Sequence, residues 1–564
     1  MWFWLGLACS GNKVEDTAPI VEVEAEWRPQ QVCPGDAGCE DASSTLQVGA
    51  SAKTITPTCF EQWEDVDGNS RYSTSTDIVL DCGCDQLCPG DEGYLESDEG
   101  EGDGLFEAIW LAGYNSGRPA NFVHDDIWAR TIFFSQGDVD IAVVSVDLVG
   151  FFGSDVEILR ERLSSQLPEL DHLIVSSTHV HSGPDVLGQW GRVPGTTGRN
   201  DRYQEELYGI MVEGVLEAWD NKQEATMSVG SVDTSTYSNE KGSRNIIHDH
   251  RDPKIIDTEL GVAHFVNPAG ESIATMVSFG NHPEVLTSDS LGITSDFVDA
   301  TRRGVENGIA YPNQQIDGVG GVCVYVSAAV GGMMSPLRVE VTDGSGQSYR
   351  DNNFEKSDAL GNVMAELTLQ AVSSAEIVSD PSLSFAVQSF DVPIENILFQ
   401  LAFQSGMFDR SLSNYEDGEL LDPNRTPLVQ TEITMLDVGN IRMQSVPGEL
   451  LPELAIGGYD DFAQPYTSLE TIIGDDNPNP PDLSQSPEGP YIKERMGRSH
   501  NWIIGLANDE LGYFVPAYNY KLSEASPYLE QAPGDHYEET NSLGPSAYPI
   551  IEQEIYRLLD WATP

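Results

Sequence analysis

Short apolar runs, each the length of one β-strand, recur along the chain and end at polar groups. These predicted strands cover residues 45–56, 130–134, 141–147, 173–175, 274–279, 322–326, 440–446 and 501–506. Between the third and fourth runs, residues 154–167 repeat apolar positions at helical spacing. Nearly continuous apolar strands interspersed with amphipathic helices are typical of buried sheets covered by helices. The predicted fold class is therefore α/β, with central mixed β-sheets flanked by helices.

Chemically capable side chains follow four of these runs. They are His179 with His181, then His282, Glu449 and Tyr513. Open α/β sheets carry their functional loops at one rim, beyond the carboxyl ends of the strands, so these side chains can converge. Two histidines and one carboxylate form a typical catalytic Zn²⁺ set that leaves a position for water.

Each of these residues also has a purely structural interpretation. The histidines are then a hydrogen-bonded core pair, because residues two apart on an extended segment point the same way. Glu449 is then a carboxylate in the first turn of a helix over 450–454, and Tyr513 a half-buried aromatic.

Composition and net charge exclude some classes of function. The chain has 564 residues, 40% of them hydrophobic, and a formal net charge of −62. Such a charge repels nucleic acid and anionic headgroups, so nucleic-acid binding is excluded and an acidic, solvated surface is expected. No segment approaches the roughly 20 apolar residues that span a bilayer.

The amino terminus predicts export. Residues 1–9 are apolar and end in Leu-Ala-Cys, which resembles a bacterial lipoprotein signal with Cys9 as the lipidated residue. The usual positive charges are missing, so a weak secretion signal is the alternative. We expect a signal segment at 1–9, an acidic tether at 10–44 and one large domain at 45–564. The protein is then a bacterial surface or outer-membrane lipoprotein, held to the membrane through Cys9, or a secreted protein.

Cysteines are concentrated near this terminus. They stand at positions 33, 39, 59, 82, 84 and 88, whereas Cys323 stands alone in an apolar strand. In an oxidising compartment three local disulfides are expected, with the pairing left open and a zinc knuckle as the alternative. Residues 58–105 form an acidic, Cys-rich insertion. Its loops at 65–69 and 98–104 offer oxygen ligands for Ca²⁺ or Mg²⁺, or are simply solvated acidic loops.

The histidine segment carries a family resemblance. Residues 174–184 read Ile-Val-Ser-Ser-Thr-His-Val-His-Ser-Gly-Pro, similar to the His-Thr-His-Ser-Gly-Pro signature of the neutral (non-lysosomal) ceramidase family. Weaker matches follow in family order at 48–56, 128–131, 144–147, 447–449, 537–538 and 544–545. The resemblance covers about residues 45 to 560. It implies the family's N-terminal catalytic domain, without its C-terminal immunoglobulin-like domain.

The resemblance assigns roles residue by residue. The family's zinc ligands fall on His179, His282, Glu449 and Tyr513. Positions that contact the substrate carbonyl and the bound water or anion fall on His181, Arg244 and Tyr537. The implied activity is Zn²⁺-dependent hydrolysis of the amide of ceramide or a related N-acyl lipid, with no protein partner.

Departures from the family pattern weaken the substrate assignment. Residues 332–337 read Gly-Met-Met-Ser-Pro-Leu where the family has Gly-Asp-Val-Ser-Pro-Asn, and Asp185-Val186 replaces a glycine pair. The serine of this family segment is retained as Ser335, but it need not act as a nucleophile. Two alternatives stay open: an esterase or lactonase at the same metal, and an inactive surface lipoprotein that binds lipid or Ca²⁺. Met333 and Leu337 favour the second.

Overall fold

The computed structural model describes residues 27–235, 237, 246–416, 418–459, 472–534 and 536–562. The strands are β1 (Gln31–Cys33), β2 (Gln47–Thr54), β3 (Trp63–Glu64), β4 (Ile78–Val79), β5 (Phe122–Val123), β6 (Trp128–Gln136), β7 (Val139–Val146), β8 (His172–Ser177), β9 (Gln223–Glu224), β10 (Thr226–Asp233), β11 (His248–Asp249), β12 (Glu259–Val266), β13 (Ser272–Phe279), β14 (Gly292–Ile293), β15 (Ile309–Tyr311), β16 (Gln314–Ile316), β17 (Val322–Ser327), β18 (Met334–Ser335), β19 (Val341–Thr342), β20 (Ser348–Tyr349), β21 (Glu376–Ile377), β22 (Leu383–Pro393), β23 (Leu428–Val438), β24 (Ile441–Ser445), β25 (Glu449–Leu450), β26 (His500–Ile504) and β27 (Tyr513–Phe514). The helices are α1 (Gly153–Ser164), α2 (Asp201–Asp220), α3 (Phe297–Asn307), α4 (Phe354–Ser374), α5 (Ile397–Ser405), α6 (Pro452–Ile456), α7 (Ile492–Met496) and α8 (Ala547–Ala562).

Three five-stranded sheets form the body of the protein. Their strand orders are β8-β7-β6-β2-β9, β17-β13-β12-β10-β21 and β1-β22-β23-β24-β26. Each of these three sheets is antiparallel except for one parallel pair at an edge: β7 with β8, β13 with β17, and β24 with β26. Chain segments that leave these parallel pairs carry the predicted metal ligands His179, His282, Glu449 and Tyr513. The predicted α/β class with mixed sheets is confirmed.

One apolar core joins the three sheets. It contains fully buried side chains from each of them, such as Ile132, Met276 and Leu436. Phe134 and Phe265 meet across two of the sheets, with ring centroids 5.5 Å apart. Helices cover the outer faces, α1 and α2 on the first sheet, α3 and α4 on the second, and α6 to α8 on the third. The apolar runs are therefore buried on both faces, which explains their lack of polar alternation.

Edge strands of the three sheets meet at one point. Ser176 on β8 donates its hydroxyl to the Gly505 carbonyl at 2.9 Å, and the Gly505 N–H donates to the Ser327 carbonyl at 2.8 Å. Ser327 closes the ring by donating its hydroxyl to the Thr178 carbonyl at 2.9 Å. Because β8, β17 and β26 are joined here, the loops that follow them open on a common space.

Three disulfides tie the amino-terminal part of the described chain. They pair Cys33 with Cys39, Cys59 with Cys84, and Cys82 with Cys88. The expectation of three local disulfides is confirmed, and Cys323 is a buried free thiol. None of the described helices is both long enough and apolar enough to cross a membrane.

Candidate metal centre

His179 stands two residues beyond β8 in a left-handed backbone conformation, with φ of 71°. Such a conformation is costly for a non-glycine residue and is often kept where a side chain must be aimed. Backbone hydrogen bonding holds it, because its N–H donates to the Leu148 carbonyl at 3.0 Å. The ring Nδ1 lies 2.5 Å from the Val149 carbonyl, so Nδ1 carries the proton and Nε2 is left free.

His282 is fixed in the same way by a different loop. It follows β13, and both its N–H and its ring Nδ1 donate to the Met334 carbonyl, at 3.0 Å and 2.7 Å. Its Nε2 is therefore also turned toward the interior of the site. The ring centroids of His179 and His282 are 4.8 Å apart.

Glu449 and Tyr513 lie opposite each other on the short parallel strands β25 and β27. The Glu449 N–H donates to the Gly512 carbonyl at 3.0 Å, which fixes the register. The carboxylate Oε2 lies 3.4 Å from Nε2 of His179 and 3.2 Å from Nε2 of His282. Residues that are far apart in sequence thus meet at one buried oxygen.

This geometry calls for positive charge at the centre. With both Nδ1 atoms protonated, two neutral rings would point Nε2 lone pairs at a carboxylate, and lone pairs facing lone pairs repel. Burial opposes a charged ring, but Glu449 outweighs it and raises the pKa of His179; the rings in turn hold the pKa of Glu449 well below its usual range despite burial. A divalent cation satisfies all three groups at once, so these residues fit a metal.

His181 belongs to the same cluster. A nitrogen of each of His179, His181 and His282 lies within 4.8 Å of the others. Neither ring nitrogen of His181 has a hydrogen-bond partner among the described residues. Burial, together with positive charge on the neighbouring rings, holds the pKa of His181 well below its usual range, so this ring is neutral.

Two phenols border the cluster. Tyr513 and Tyr537 have ring centroids 6.0 Å apart, and the Tyr513 hydroxyl lies 3.8 Å from the Met333 sulfur. Burial and the charge of Glu449 raise the pKa of both tyrosines. Burial and the Glu449 charge therefore favour the protonated phenol in both side chains.

Sequence reasoning missed two buried carboxyl groups beside the cluster. Glu284 Oε2 lies 3.5 Å from Nδ1 of His181. Glu510 borders the pocket; its Oε1 accepts the Gly512 N–H at 3.0 Å, and its buried Oε2 has no partner in the described structure. Burial raises the pKa of both carboxyls. Glu284 repeats, two positions after His282, the spacing of the first histidine pair, and that signal was available in the sequence.

The cluster opens on a pocket with a cavity volume of about 70 Å³. His179, Glu449, Tyr513 and Tyr537 line one side. Apolar side chains make most of the remaining wall: Val149, Phe152, Leu187, Trp190, Phe399, Phe403, Phe408, Leu511 and Leu543. The arrangement combines an ionisable floor with an apolar wall, as small-molecule sites commonly do.

The sequence also predicts roles for Arg244, Cys9 and the acidic loops of the Cys-rich insertion. Arg244 and Cys9 lie outside the described residues. In the Cys-rich insertion, carboxylates of Asp65, Asp67 and Asp77 lie within 4.8 Å of one another, although Asp65 already accepts three backbone N–H groups from residues 68–70. Exposed acidic groups of this kind are common without a cation.

Two solved structures share this fold. Neutral ceramidase from Pseudomonas aeruginosa aligns with a TM-score of 0.57 and 15% identity, over 92% of this chain and 74% of that one. A ceramidase complexed with C2 aligns with a TM-score of 0.57 and 13% identity, over 92% of this chain and 76% of that one. No family model and no curated protein matches the sequence. At these identities the likeness establishes the fold, and the resemblance drawn from the sequence motifs is confirmed at that level.

Proposed function

We propose that this protein is a Zn²⁺-dependent hydrolase that cleaves the amide bond of ceramide or a related N-acyl lipid. One observation carries the proposal: the buried cluster of His179, His282 and Glu449 opens on an apolar pocket. The shared fold with two ceramidase structures supports the same substrate class.

The donor set favours zinc over harder cations. Two imidazole nitrogens and one carboxylate oxygen are a common catalytic zinc set, whereas Ca²⁺ and Mg²⁺ prefer oxygen alone. A bound Zn²⁺ polarises a carbonyl and lowers the pKa of water from about 15.7 to about 7. The chain supplies the holding groups and the surrounding dry walls.

The Tyr537 phenol supplies a complementary hydrogen bond. Tyr537 keeps its proton because burial and Glu449 disfavour ionisation, whereas Tyr513 is assigned as a metal ligand. A phenol beside the scissile carbonyl donates to the oxygen as negative charge develops there, and such donors act strongly in a water-excluded site. His181 and Arg244 complete the polar side of the proposed site.

Ser335 is not required as a nucleophile. It is fully buried and is not among the residues that line the pocket. Its hydroxyl accepts the Leu337 N–H at 3.1 Å and bonds Glu284. Water is therefore the better nucleophile, and Ser335→Ala should retain turnover.

A matched pair of substrates tests the proposal. Zinc-loaded protein is offered an N-acyl amide and an ester with the same acyl chain, and fatty-acid release is measured. We expect amide turnover that disappears in His179→Ala and is kept in His500→Ala, a half-buried histidine outside the pocket. Turnover of the ester alone would assign the protein as an esterase instead of an amidase. No turnover of either substrate would refute the assignment as a hydrolase.

We also propose that the protein is exported. The Leu-Ala-Cys sequence at residues 7–9 and three disulfides support a surface lipoprotein or a secreted protein, with a lipidated Cys9 keeping the enzyme near its lipid substrate. Mass spectrometry of the mature amino terminus tests this. A diacylglyceryl-modified Cys9 is expected, and an unprocessed Met1 would contradict it.

A further inference from the structure

We propose that Asp185 holds the loop of residues 185–190 as a rigid wall of the pocket, and that Trp190 on this wall makes the site select an unbranched acyl chain. The excluded substrates carry a branch on the carbon next to the scissile carbonyl. The inference rests on the proposed function and deepens it, because it names the class of N-acyl lipid that the site takes. Asp185 is one of the departures from the ceramidase pattern, which has glycine there.

The Asp185 carboxylate organises the loop from its centre. This aspartate is almost fully buried, with an exposed fraction of 2%. Its Oδ1 accepts the N–H groups of Leu187 and Gly188 at 3.1 Å and 2.8 Å, and its Oδ2 accepts the Trp190 N–H at 2.7 Å. Buried backbone N–H groups need partners, and three of them share this one carboxylate. The conformation of the loop therefore depends on a single side chain.

Close contacts on both sides keep the loop from shifting. The Asp185 N–H donates to the Trp110 carbonyl at 2.7 Å. On the other side Gly188 has φ of +90°, and a Cβ there would lie 2.3 Å from the Met407 carbonyl oxygen, so glycine is required. Met407 lies two residues beyond α5. The loop is thus packed against the segment that carries several aromatic side chains of the pocket.

Trp190 is fixed at both its backbone and its ring. Its N–H is bound by Asp185, and its indole Nε1 donates to the Tyr114 carbonyl at 3.1 Å. The Tyr114 ring in turn meets the His181 ring edge to face, with centroids 5.1 Å apart. Trp190 and His181 both line the pocket. The indole is therefore a fixed apolar surface near the histidine that the sequence resemblance assigns to the substrate carbonyl.

This placement determines which part of the substrate meets the wall. A chain whose carbonyl lies at His181 brings its first carbons against Trp190, and its later carbons extend toward the apolar side chains of α5. The cavity volume is only about 70 Å³. A closely packed site resists an added methyl group, because its side chains must leave their preferred rotamers to accept it. A straight acyl chain therefore fits where an α-branched one does not.

Two acyl chains that differ by one methyl group test the inference. Zinc-loaded protein is offered decanoyl and α-methyldecanoyl amides of the same amine, and kcat/KM is measured for each. The ratio of the two values is compared among the wild type, Trp190→Ala, Asp185→Gly and Asp185→Asn. Intrinsic reactivity and the folded fraction cancel in this comparison, so a merely structural role leaves the ratio unchanged.

Asp343→Gly is the matched control. Asp343 is also a buried aspartate that organises a loop, because its Oδ1 accepts the N–H groups of Ser345 and Gln347 at 2.9 Å and 3.1 Å. It is not among the residues that line the pocket.

We expect the wild type to prefer the straight chain by about 10-fold or more, the usual effect of one misplaced methyl group in an apolar pocket. The ratio should fall close to one in Trp190→Ala and Asp185→Gly, and less in Asp185→Asn, which keeps one oxygen acceptor. It should not change in Asp343→Gly. Circular dichroism verifies the fold, and Asp185→Asn and Trp190→Ala decide the case if Asp185→Gly does not fold.

A binding measurement separates this inference from the proposed function. Decanoic acid and its α-methyl derivative are titrated calorimetrically into the wild type and Trp190→Ala, and the same preference and the same loss are expected. A wild type that takes both chains equally, or an unchanged ratio in folded Trp190→Ala, would overturn the inference and leave the hydrolase intact. Selective binding without turnover of either amide would refute the hydrolase and keep the wall, and an inactive protein that binds neither acid would refute both.

Discussion

Protonated groups beside the cluster determine what the site can do. Tyr513 and Tyr537 lie on the pocket wall with raised pKa values, while Glu449 is held ionised by the adjacent histidines. Acceptors for a cation and donors for a developing oxyanion are therefore separated within one small volume. Pairs of groups whose surroundings drive their pKa values apart are typical of catalytic sites.

Tyr537→Phe should lower kcat by about 10²- to 10³-fold, because it removes one donor to the developing oxyanion. KM for the N-acyl amide should change little, since the ring and its contacts remain. Steady-state kinetics measure both values. Tyr518→Phe is the control, a buried tyrosine outside the pocket, and it should behave as wild type. An equal loss in both variants would show a packing effect instead.

At the scale of the element, α6 carries a buried acid that makes stability depend on pH. Burial raises the pKa of Glu453 to about 7, and Glu538 adds to this while Arg251 opposes it. The folded protein keeps a proton that the unfolded chain loses above about 4.3. The native state thus binds more protons between these values, so stability falls as pH rises through this window.

Glu453→Gln should remove this loss. The variant is expected to be more stable than the wild type at pH 8, by on the order of 3 kcal/mol at most, and no more stable at pH 4. Urea unfolding at the two pH values measures the difference. A constant difference at both values would contradict a titrating Glu453.

Helix α5 (Ile397–Ser405) presents apolar side chains on nearly every side. Phe399 and Phe403 line the pocket, while Ile397 and Leu401 are 47% and 53% exposed. The segment 396–408 contains no charged residue in a chain that carries a charge of −62. This helix is therefore suited to contact the acyl chain of the proposed substrate.

Phe403→Ala should reduce kcat/KM for a long-chain N-acyl substrate by about 10-fold and leave a short-chain one nearly unchanged, because the lost contact is with the distal chain. Leu401→Ala, on the same helix but outside the pocket, is the control. Equal losses on both chain lengths would place the acyl group elsewhere.

Strands and their polar ends could be predicted from the sequence because both signals are local. Apolar runs marked the strands that become β8, β13, β24 and β26, and His179, His282, Glu449 and Tyr513 follow these strands. The loops at His179 and Glu449 are therefore predictable from local sequence alone. Motif similarity then identified the fold.

What the sequence could not give depends on contacts between distant segments. The ring of hydrogen bonds that joins β8, β17 and β26 has no local signature. The approach of Glu284 to His181 arises only when their two segments pack together. Likewise, α5 becomes part of the pocket only through the tertiary fold. The pairing of the cysteines was likewise fixed only by the fold.

Net charge acts at the scale of the whole molecule. A charge of −62 on one chain makes the folded state repel itself, and salt screens that repulsion, with a Debye length of about 10 Å at 0.1 M. The thermal midpoint should therefore rise by several degrees between low and molar salt, equally in NaCl and KCl. Calorimetry measures it, and a midpoint that is constant or falls would contradict this account.

We propose that the cluster of His179, His282 and Glu449, formed where the three sheets join at their parallel edges, binds one catalytic metal ion. The most direct test of this claim measures metal content and N-acyl amide turnover on the same preparation, before chelation, after chelation and after adding back Zn²⁺. We predict one ion per chain, loss of turnover with the ion, its return with Zn²⁺, and neither ion nor turnover in Glu449→Gln. Full turnover by metal-free protein would contradict the account.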